Sequence, residues 1–281
     1  MAKRFSVGVL LDSFRLPPEE AMKKAAALGL EGIQVYATQG ELAPENMTAE
    51  KRREFKKMAA GYGLTISALC GDLGRDFGCQ EQNADLIERS KRILDLAKDL
   101  GTNVVTTHIG LIPLDPGEER YKIMQEACGQ LARYADSLDA HFAIETGPDI
   151  SCTLKQFLDS LHSTGVAVNF DPANIAMVTG EDLVNAVHNL RQYIVHTHAK
   201  DGVMLHYYGP AFVYSGEHPS GGCGEVAYRE VPLGEGSVRW PEYLQALEDI
   251  GYQGFLTIER EVGNDPAADI GKAAAFLKKL I

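Results

Sequence analysis

Short apolar segments alternate with amphipathic segments along almost the whole chain, and this alternation limits the possible folds more than any other feature. Eight segments are predicted to be buried strands, at residues 5–11, 32–36, 64–70, 103–108, 142–145, 166–170, 193–198 and 254–259. A helix is predicted after each of them, the third at 84–100 and the last ending near residue 280. Such alternation implies parallel crossovers, and eight units in 281 residues match a (β/α)8 barrel. We predict an α/β fold, a single (β/α)8 TIM barrel over residues 1–281.

A doubly wound open sheet is the competing fold. The turn after the first predicted strand, Leu10 to Ser13, has no glycine-rich dinucleotide fingerprint. In the barrel, the C-terminal ends of all strands meet at one face, where we expect the active site.

Charge and cysteine content limit the expected partners and compartment. The chain has 27 Lys and Arg against 39 Asp and Glu, and this net charge of −12 repels nucleic-acid phosphate. Five cysteines, odd in number and without a C-x-x-C pair, argue against a disulfide framework. The segment from Met1 to Arg4 leads into a strand without a signal sequence or membrane span. We therefore expect a cytoplasmic protein with neither a nucleic-acid nor a membrane partner.

Four consecutive predicted strands end in metal-binding side-chain types, namely Glu145, Asp171, His198 and Glu259. The two-residue period of a strand points all four into the barrel mouth. Any one acid at a strand end is equally explained as a helix cap or a solvated residue. Together, three carboxylates would repel one another unless a cation bridged them, and three oxygen donors with one imidazole suit Mn²⁺, Mg²⁺ or Co²⁺. The pattern favours a divalent metal site.

Three further features surround these strand ends. His196 lies one pleat deeper than His198, so we expect a hydrogen-bonded residue of the barrel lumen. His108 ends the fourth predicted strand and is a candidate substrate contact, with a structural role left open. The spacing from His198 to Glu259 is 61 residues against 27 from Asp171 to His198, and the surplus lies at 200–237. A loop of this length is usually functional, so we predict that it covers the active site.

Five motifs carry a family resemblance: AIETG around Glu145, VNFDPAN around Asp171, HTHAKDG around His198, VPLGEGSVRW at 231–240 and LTIERE around Glu259. They resemble the xylose isomerase-like TIM barrels, specifically the sugar phosphate isomerase/epimerase group. The resemblance implies that Glu145, Asp171, His198 and Glu259 bind one divalent metal ion. Mn²⁺ is favoured, and Mg²⁺, Co²⁺ or Zn²⁺ are possible. It also implies that Glu145 and Glu259 are the catalytic acid/base groups.

The implied function is isomerisation or epimerisation of a sugar or sugar phosphate by proton transfer through a metal-stabilised enediolate. We expect His108, Asn174 and Asp201 to contact the sugar, and a homo-oligomer is left open. Two positions depart from the ketose 3-epimerases of this group: Asn174 replaces a histidine, and no arginine follows His198 in Asp201 to Val203. Two alternatives stay open: a metal-dependent dehydratase of an inosose- or dehydroshikimate-like substrate, and a non-catalytic sugar-binding or partner subunit.

Overall fold

Eight parallel strands close into a barrel, as the alternation predicts. The structure, a computed structural model of the 281-residue chain, describes residues 5–215 and 226–281. The strand order around the barrel is β1-β10-β7-β6-β5-β4-β3-β2, with β1 hydrogen-bonded to both β10 and β2. The barrel strands are β1 Ser6–Leu10, β2 Gly32–Tyr36, β3 Thr65–Cys70, β4 Val104–Thr107, β5 His141–Glu145, β6 Val166–Phe170, β7 Ile194–Ala199 and β10 Phe255–Ile258. The prediction of a (β/α)8 TIM barrel is confirmed.

Helices follow the strands, and the longer ones cover the outside of the barrel. They are α1 Pro18–Ala27, α2 Ala49–Gly61, α3 Gln80–Leu100, α4 Glu119–Ser137, α5 Ser151–Leu161, α6 Pro172–Asn174, α7 Leu183–Leu190, α8 Pro210–Ser215, α9 Trp240–Asp249 and α10 Pro266–Leu280. The third helix begins at Gln80, four residues before the predicted start. None of the helices in the described ranges has the length and apolar character that crossing a membrane requires.

The apolar stripes of these helices pack on the strands and form the core. On α3, Leu86, Ile93, Leu94 and Leu100 are buried at helical spacing. The helix ends at Gly101, whose φ of +89° is a left-handed conformation that glycine adopts readily. This packing fixes the strand ends in space, and with them the side chains of the barrel mouth.

A layer of polar side chains crosses the barrel interior below the mouth. Gln34, Thr106, Asn169, His196 and Thr257 all lie on barrel strands and are at most 2% exposed. The Nε2 of Gln34 donates to Oγ1 of Thr106 at 2.8 Å, although their strands are not neighbours, so this bond spans the interior. Buried polar groups are costly unless they are hydrogen-bonded, so the layer forms a satisfied network beneath the site.

The segment predicted as a long loop at 200–237 contains regular structure. Strand β8 (Asp201–Met204) pairs antiparallel with β9 (Tyr228–Val231), and the short helix α8 lies between them. Residues 216–225 of this segment lie outside the described residues. The ribbon leaves the barrel directly after β7, so it stands over the C-terminal face of the strands.

Candidate metal centre

The structure brings together the four residues at the predicted strand ends. Glu145 is the last residue of β5, Asp171 follows β6, His198 lies near the end of β7 and Glu259 follows β10. One potential ligand atom from each residue lies within 4.8 Å of the others, and all four residues are buried. The predicted convergence at the barrel mouth is therefore present.

His198 is the centre of this cluster. Its Nδ1 lies 3.4 Å from Oε1 of Glu145, 3.5 Å from Oδ2 of Asp171 and 3.3 Å from Oε2 of Glu259. Three carboxylate oxygens thus converge on one imidazole nitrogen. An ion placed among these atoms would meet three anionic oxygens and one nitrogen, the donor set expected from the sequence.

The two carboxylate oxygens of Asp171 have different surroundings. Its Oδ1 caps the following turn by accepting from the backbone N–H groups of Ala173 at 2.8 Å and Asn174 at 3.1 Å. Its Oδ2 is buried and has no hydrogen-bond partner among the described residues. An anionic oxygen in such a place is costly without a cation, so the orphaned Oδ2 fits a metal ligand.

The charges in the cluster hold Glu145, Glu259 and His198 in ionised form. Burial opposes ionisation of Glu145, but the imidazoles of His198 and His108 outweigh it and lower its pKa. Burial also opposes ionisation of Glu259, but Lys200 and His198 outweigh it and lower the pKa of that carboxyl. Glu259 and Glu145 in turn raise the pKa of His198 well above its ordinary value, against the effect of burial. Without a metal ion, a proton on His198 serves as the cation of the cluster.

Amide side chains hold Glu145 and His198 in orientation. Glu145 accepts from Nδ2 of Asn174 at 3.1 Å through Oε1 and from Nδ2 of Asn169 at 3.0 Å through Oε2. The Nε2 of His198 lies 2.9 Å from Oε1 of Gln34, which can only accept a hydrogen bond. Nε2 therefore carries a proton, and the lone pair of the neutral ring is on Nδ1, toward the carboxylates. Partners of this kind fix the tautomer of a metal-binding histidine.

His196 occupies the place in the lumen expected from the strand pleat. It is 2% exposed, its Nδ1 donates to Oδ1 of Asn169 at 2.8 Å, and its Nε2 accepts from Oγ1 of Thr257 at 2.9 Å. Both ring nitrogens are thus satisfied by neutral partners, and the ring is not one of the four clustered groups. The prediction of a hydrogen-bonded lumen residue is confirmed.

A cavity of about 230 Å³, here called the inner cavity, opens onto the cluster. Glu145, His198 and Glu259 line it, together with His108 and Asn174, two of the residues predicted to contact substrate. The described part of segment 200–237 contributes four side chains to its wall: Lys200, Val213, Tyr214 and Tyr228.

His108 links the cavity to the cluster. It directly follows β4, its Nδ1 lies 2.9 Å from Oδ2 of Asp72, and its Nε2 lies 3.8 Å from Oε1 of Glu145. Burial would lower its pKa, but Glu145 and Asp72 outweigh that effect and raise the pKa to about 9. His108 therefore presents a protonated nitrogen, a hydrogen-bond donor, beside Glu145.

The expectation that Asp201 contacts substrate does not fit this geometry. Its carboxylate accepts from the backbone N–H groups of Gly202 at 2.9 Å, Gly234 at 2.9 Å and Val238 at 3.2 Å, and from Nε1 of Trp240 at 3.0 Å. The side chain is 1% exposed and is not part of the inner cavity. Through these hydrogen bonds, the carboxylate of Asp201 instead holds in place the segment that connects β9 to α9.

Sequence reasoning missed two polar residues that shape the site. Gln34 and Asn169 orient His198 and Glu145, and both interrupt otherwise apolar buried strands, GIQVY and VAVNF, which was a usable signal. Lys200 also shapes the site, through salt bridges. It is buried, with Nζ 3.0 Å from Oε2 of Glu259 and in contact with the carboxylate of Glu261.

Comparison with known proteins gives one family match. The family model described as xylose isomerase-like TIM barrel matches residues 22–280 of the chain. Among curated proteins, the fructoselysine 3-epimerase of Escherichia coli O157:H7 is 21% identical over 259 residues, covering 87% of this chain and 86% of the relative.

Two solved structures share the fold. A xylose isomerase domain protein from Planctomyces limnophilus has a TM-score of 0.80 at 23% identity, covering 100% of this chain and 98% of that one. The "probable 3-DHS dehydratase AsbF" of Bacillus anthracis has a TM-score of 0.77 at 21% identity, covering 98% of this chain and 99% of that one. At these identities the structural likeness concerns the fold.

Proposed function

The chain belongs to the xylose isomerase-like TIM barrel family, and on that basis we propose that it is a divalent-metal-dependent isomerase or epimerase of a sugar or sugar phosphate. The observation that carries the proposal is the buried cluster of Glu145, Asp171, His198 and Glu259 around one point beside the inner cavity. The curated relative, a sugar epimerase by name, supports the reaction class.

The four clustered residues would hold the metal ion, and we propose Mn²⁺ because oxygen ligands predominate. When bound, a divalent ion polarises a sugar carbonyl and makes the neighbouring C–H more acidic. The unpartnered Oδ2 of Asp171 and the orientation of His198 by Gln34 support this assignment.

Glu145 and Glu259 are the proposed proton carriers. Both carboxyls have lowered pKa values and line the inner cavity, so each is ionised and able to accept a proton from a bound sugar. Glu259 is bound to Lys200 through Oε2, and its Oε1 forms no hydrogen bond among the described residues. That oxygen is free to take a proton. If the carboxyl that took the proton returns it to the adjacent carbon, the product is an isomer. If the other glutamate takes up a proton from solvent and delivers it to the opposite face of the same carbon, the product is an epimer.

His108 and Asn174 are the proposed substrate contacts. The protonated ring of His108 donates a hydrogen bond to a sugar oxygen, while Asn174 holds Oε1 of Glu145 in place. We propose that segment 200–237 covers the bound sugar, since Tyr214 and Tyr228 from its described part line the cavity. Closure of this kind excludes water from the reacting carbon.

A cytoplasmic location also belongs to this proposal. Four cysteines, Cys70, Cys79, Cys128 and Cys152, are unpaired, and unpaired thiols are typical of a reducing compartment. Cys223 lies outside the described residues.

A dehydratase is the second candidate, since a structure of similar fold is named as one. Removal of the proton next to the carbonyl leaves a carbanion, and loss of water from that carbanion would give an unsaturated product with a lower mass. A non-catalytic sugar-binding subunit would bind metal and sugar without turnover.

The test is hydrogen exchange with solvent. The Mn²⁺-loaded protein is incubated in D₂O with a panel of ketoses and ketose phosphates, and deuterium is located by NMR and mass spectrometry. We expect deuterium at a carbon next to the carbonyl, with the rate reduced by about 100-fold or more in Glu259→Gln and Glu145→Gln. Glu242→Gln, an exposed glutamate on α9, is the matched control. Absence of exchange across the panel contradicts the proposed chemistry, and a product lighter by one water supports the dehydratase.

A further inference from the structure

A second cavity lies beside the inner one. Its volume is about 660 Å³, and it shares Asp72, His108 and Tyr214 with the inner cavity. We call it the outer cavity. Small-molecule sites commonly measure about 300–1,000 Å³, so the inner cavity alone is small for such a site and the two together are in the usual range. His108 stands between the cluster and the outer cavity, with Nε2 directed at Glu145 and the ring on the shared wall.

The floor of the outer cavity is fixed by contacts between two loops. The backbone N–H of Phe77 donates to the carbonyl of Ile109 at 3.0 Å. Arg120 reaches both loops, with Nη1 3.2 Å from Oδ1 of Asp76 and Nη2 3.3 Å from the carbonyl oxygen of Leu111. These loops are already held in place, so little conformational entropy is lost when a ligand binds to this floor.

A glycine permits the close approach of these loops. Gly110 has a φ of +89°, and a Cβ added there would lie 2.3 Å from Cβ of Asp76. The absence of a side chain at Gly110 therefore lets Asp76 and its loop seat against the loop after β4. This contact shapes the cavity rather than the core.

Arg75 is the charged residue of the outer cavity for which the described residues provide no partner. The two acids of the outer cavity already have partners, because Asp72 binds His108 and Asp76 binds Arg120 and the backbone N–H of Gly78. Arg75 also lines the cavity, and it makes no hydrogen bond or ion pair with any part of the chain that the structure describes. Its guanidinium offers five N–H donors that match a carboxylate or a phosphate.

We propose that the natural substrate is a sugar with an anionic substituent, a carboxylate or a phosphate, whose charged end lies in the outer cavity against Arg75. The sugar portion occupies the inner cavity beside the four clustered residues, and the chain between the two passes His108. This inference rests on the proposed function for the position of the sugar. It adds the class of substituent and the residue that recognises it.

The test measures binding with probes that have no carbonyl and cannot react. Isothermal titration of the full-length, Mn²⁺-loaded protein compares glucitol, gluconate and glucitol 6-phosphate. We expect at least one anionic probe to bind about tenfold more tightly than glucitol, the gain typical of a charge-assisted hydrogen bond. The tighter of the two anionic probes identifies the substituent as carboxylate or phosphate.

Two arginine variants separate recognition by Arg75 from general attraction of anions to the metal. Arg75→Gln should lose the preference for the anionic probe, and Arg53→Gln should keep it, because Arg53 is exposed on α2 and lines neither cavity. Equal affinity of wild type for all three probes, or a preference that survives in Arg75→Gln, overturns the inference. A lack of deuterium exchange would count against the proposed reaction and leave this binding result standing, so the two failures are distinguishable.

Discussion

The ammonium of Lys200 lies 3.0 Å from Oε2 of Glu259, the same oxygen that lies 3.3 Å from Nδ1 of His198. Both residues are buried, so one carboxylate of the candidate metal centre also forms an ion pair with a buried lysine. The contact follows from barrel closure. Strands β7 and β10 are neighbours, and the N–H of Glu259 donates to the carbonyl of Ala199 at 3.2 Å, which places Lys200 beside Glu259.

Removal of this lysine is expected to destabilise the metal-free protein. Lys200→Met leaves the buried carboxylate of Glu259 without its partner, which should cost about 3 kcal/mol of unfolding free energy. Lys272→Met is the matched control, because Lys272 is exposed and lies 3.7 Å from Asp269, and such a pair contributes less than about 1 kcal/mol. Urea unfolding with and without Mn²⁺ measures both. The ion should raise the midpoint of Lys200→Met more than that of wild type, and equal stability of the two variants would contradict the role of Lys200.

A substitution at Asp171 can remove its proposed metal contact while keeping its hydrogen bond to the following turn. Asp171→Asn keeps an oxygen that can accept from the N–H of Ala173, and it replaces the anionic Oδ2. We expect the fold to persist by circular dichroism while Mn²⁺ affinity falls by about 100-fold or more. The control is Asp182→Asn at the N-cap of α7, where the side chain accepts from the N–H of Asn185 at 3.0 Å away from the cluster. Metal analysis after dialysis should find one ion per chain in the control, and an undiminished metal content in Asp171→Asn would exclude this residue as a ligand.

Metal affinity is expected to fall as the pH is lowered. Glu259 and Glu145 raise the pKa of His198 against the effect of burial, so the metal-free site holds a proton that a metal at Nδ1 must displace. Below the raised pKa of His198, the apparent affinity should decrease by about tenfold per pH unit for each proton released. Calorimetry of Mn²⁺ binding in two buffers with different ionisation heats counts the released protons. Binding without proton release at pH 6 would show that His198 is neutral before the metal arrives.

Asp149 should make stability depend on pH near neutrality. Burial raises its pKa to about 7, although the N–H of Ile112 donates to the carboxylate at 3.3 Å and opposes the shift. Between the ordinary pKa of an aspartate, about 4, and about 7, the folded state holds a proton that the unfolded state has released. Stability therefore falls as the pH rises through this window.

Asp149→Asn retains the acceptor for Ile112 and removes the titration. Its stability should exceed that of wild type by a margin that grows between pH 5 and pH 8, by an amount on the order of 2 kcal/mol. Urea unfolding at both values measures the margin. Asp85→Asn, on the exposed face of α3, is the control and should show no such growth. A constant margin for Asp149→Asn would mean that its carboxylate stays ionised.

The sequence predicts the barrel and the four clustered residues because both depend on local periodicity. Strand and helix periods give the alternation, and the two-residue period of a strand assigns each strand-end side chain to a face. Parallel crossovers then bring Glu145, Asp171, His198 and Glu259 to one rim without any detail of packing. The turn of α6 was missed, although the Asp171-Pro172 pair, an N-cap with proline at the first helical position, was a signal for it.

Contacts between residues distant in sequence were decided only by the tertiary structure. Lys200 and Asp201 are adjacent in sequence, but they have different partners. Lys200 forms an ion pair with Glu259 at the barrel rim, whereas Asp201 accepts hydrogen bonds from the segment 234–240. The partners of these two residues depend on which segments barrel closure places on each side of the chain. The two cavities, and the position of Arg75 on the wall of one of them, likewise arise where separate loops meet, and no periodic pattern in the sequence encodes such a meeting.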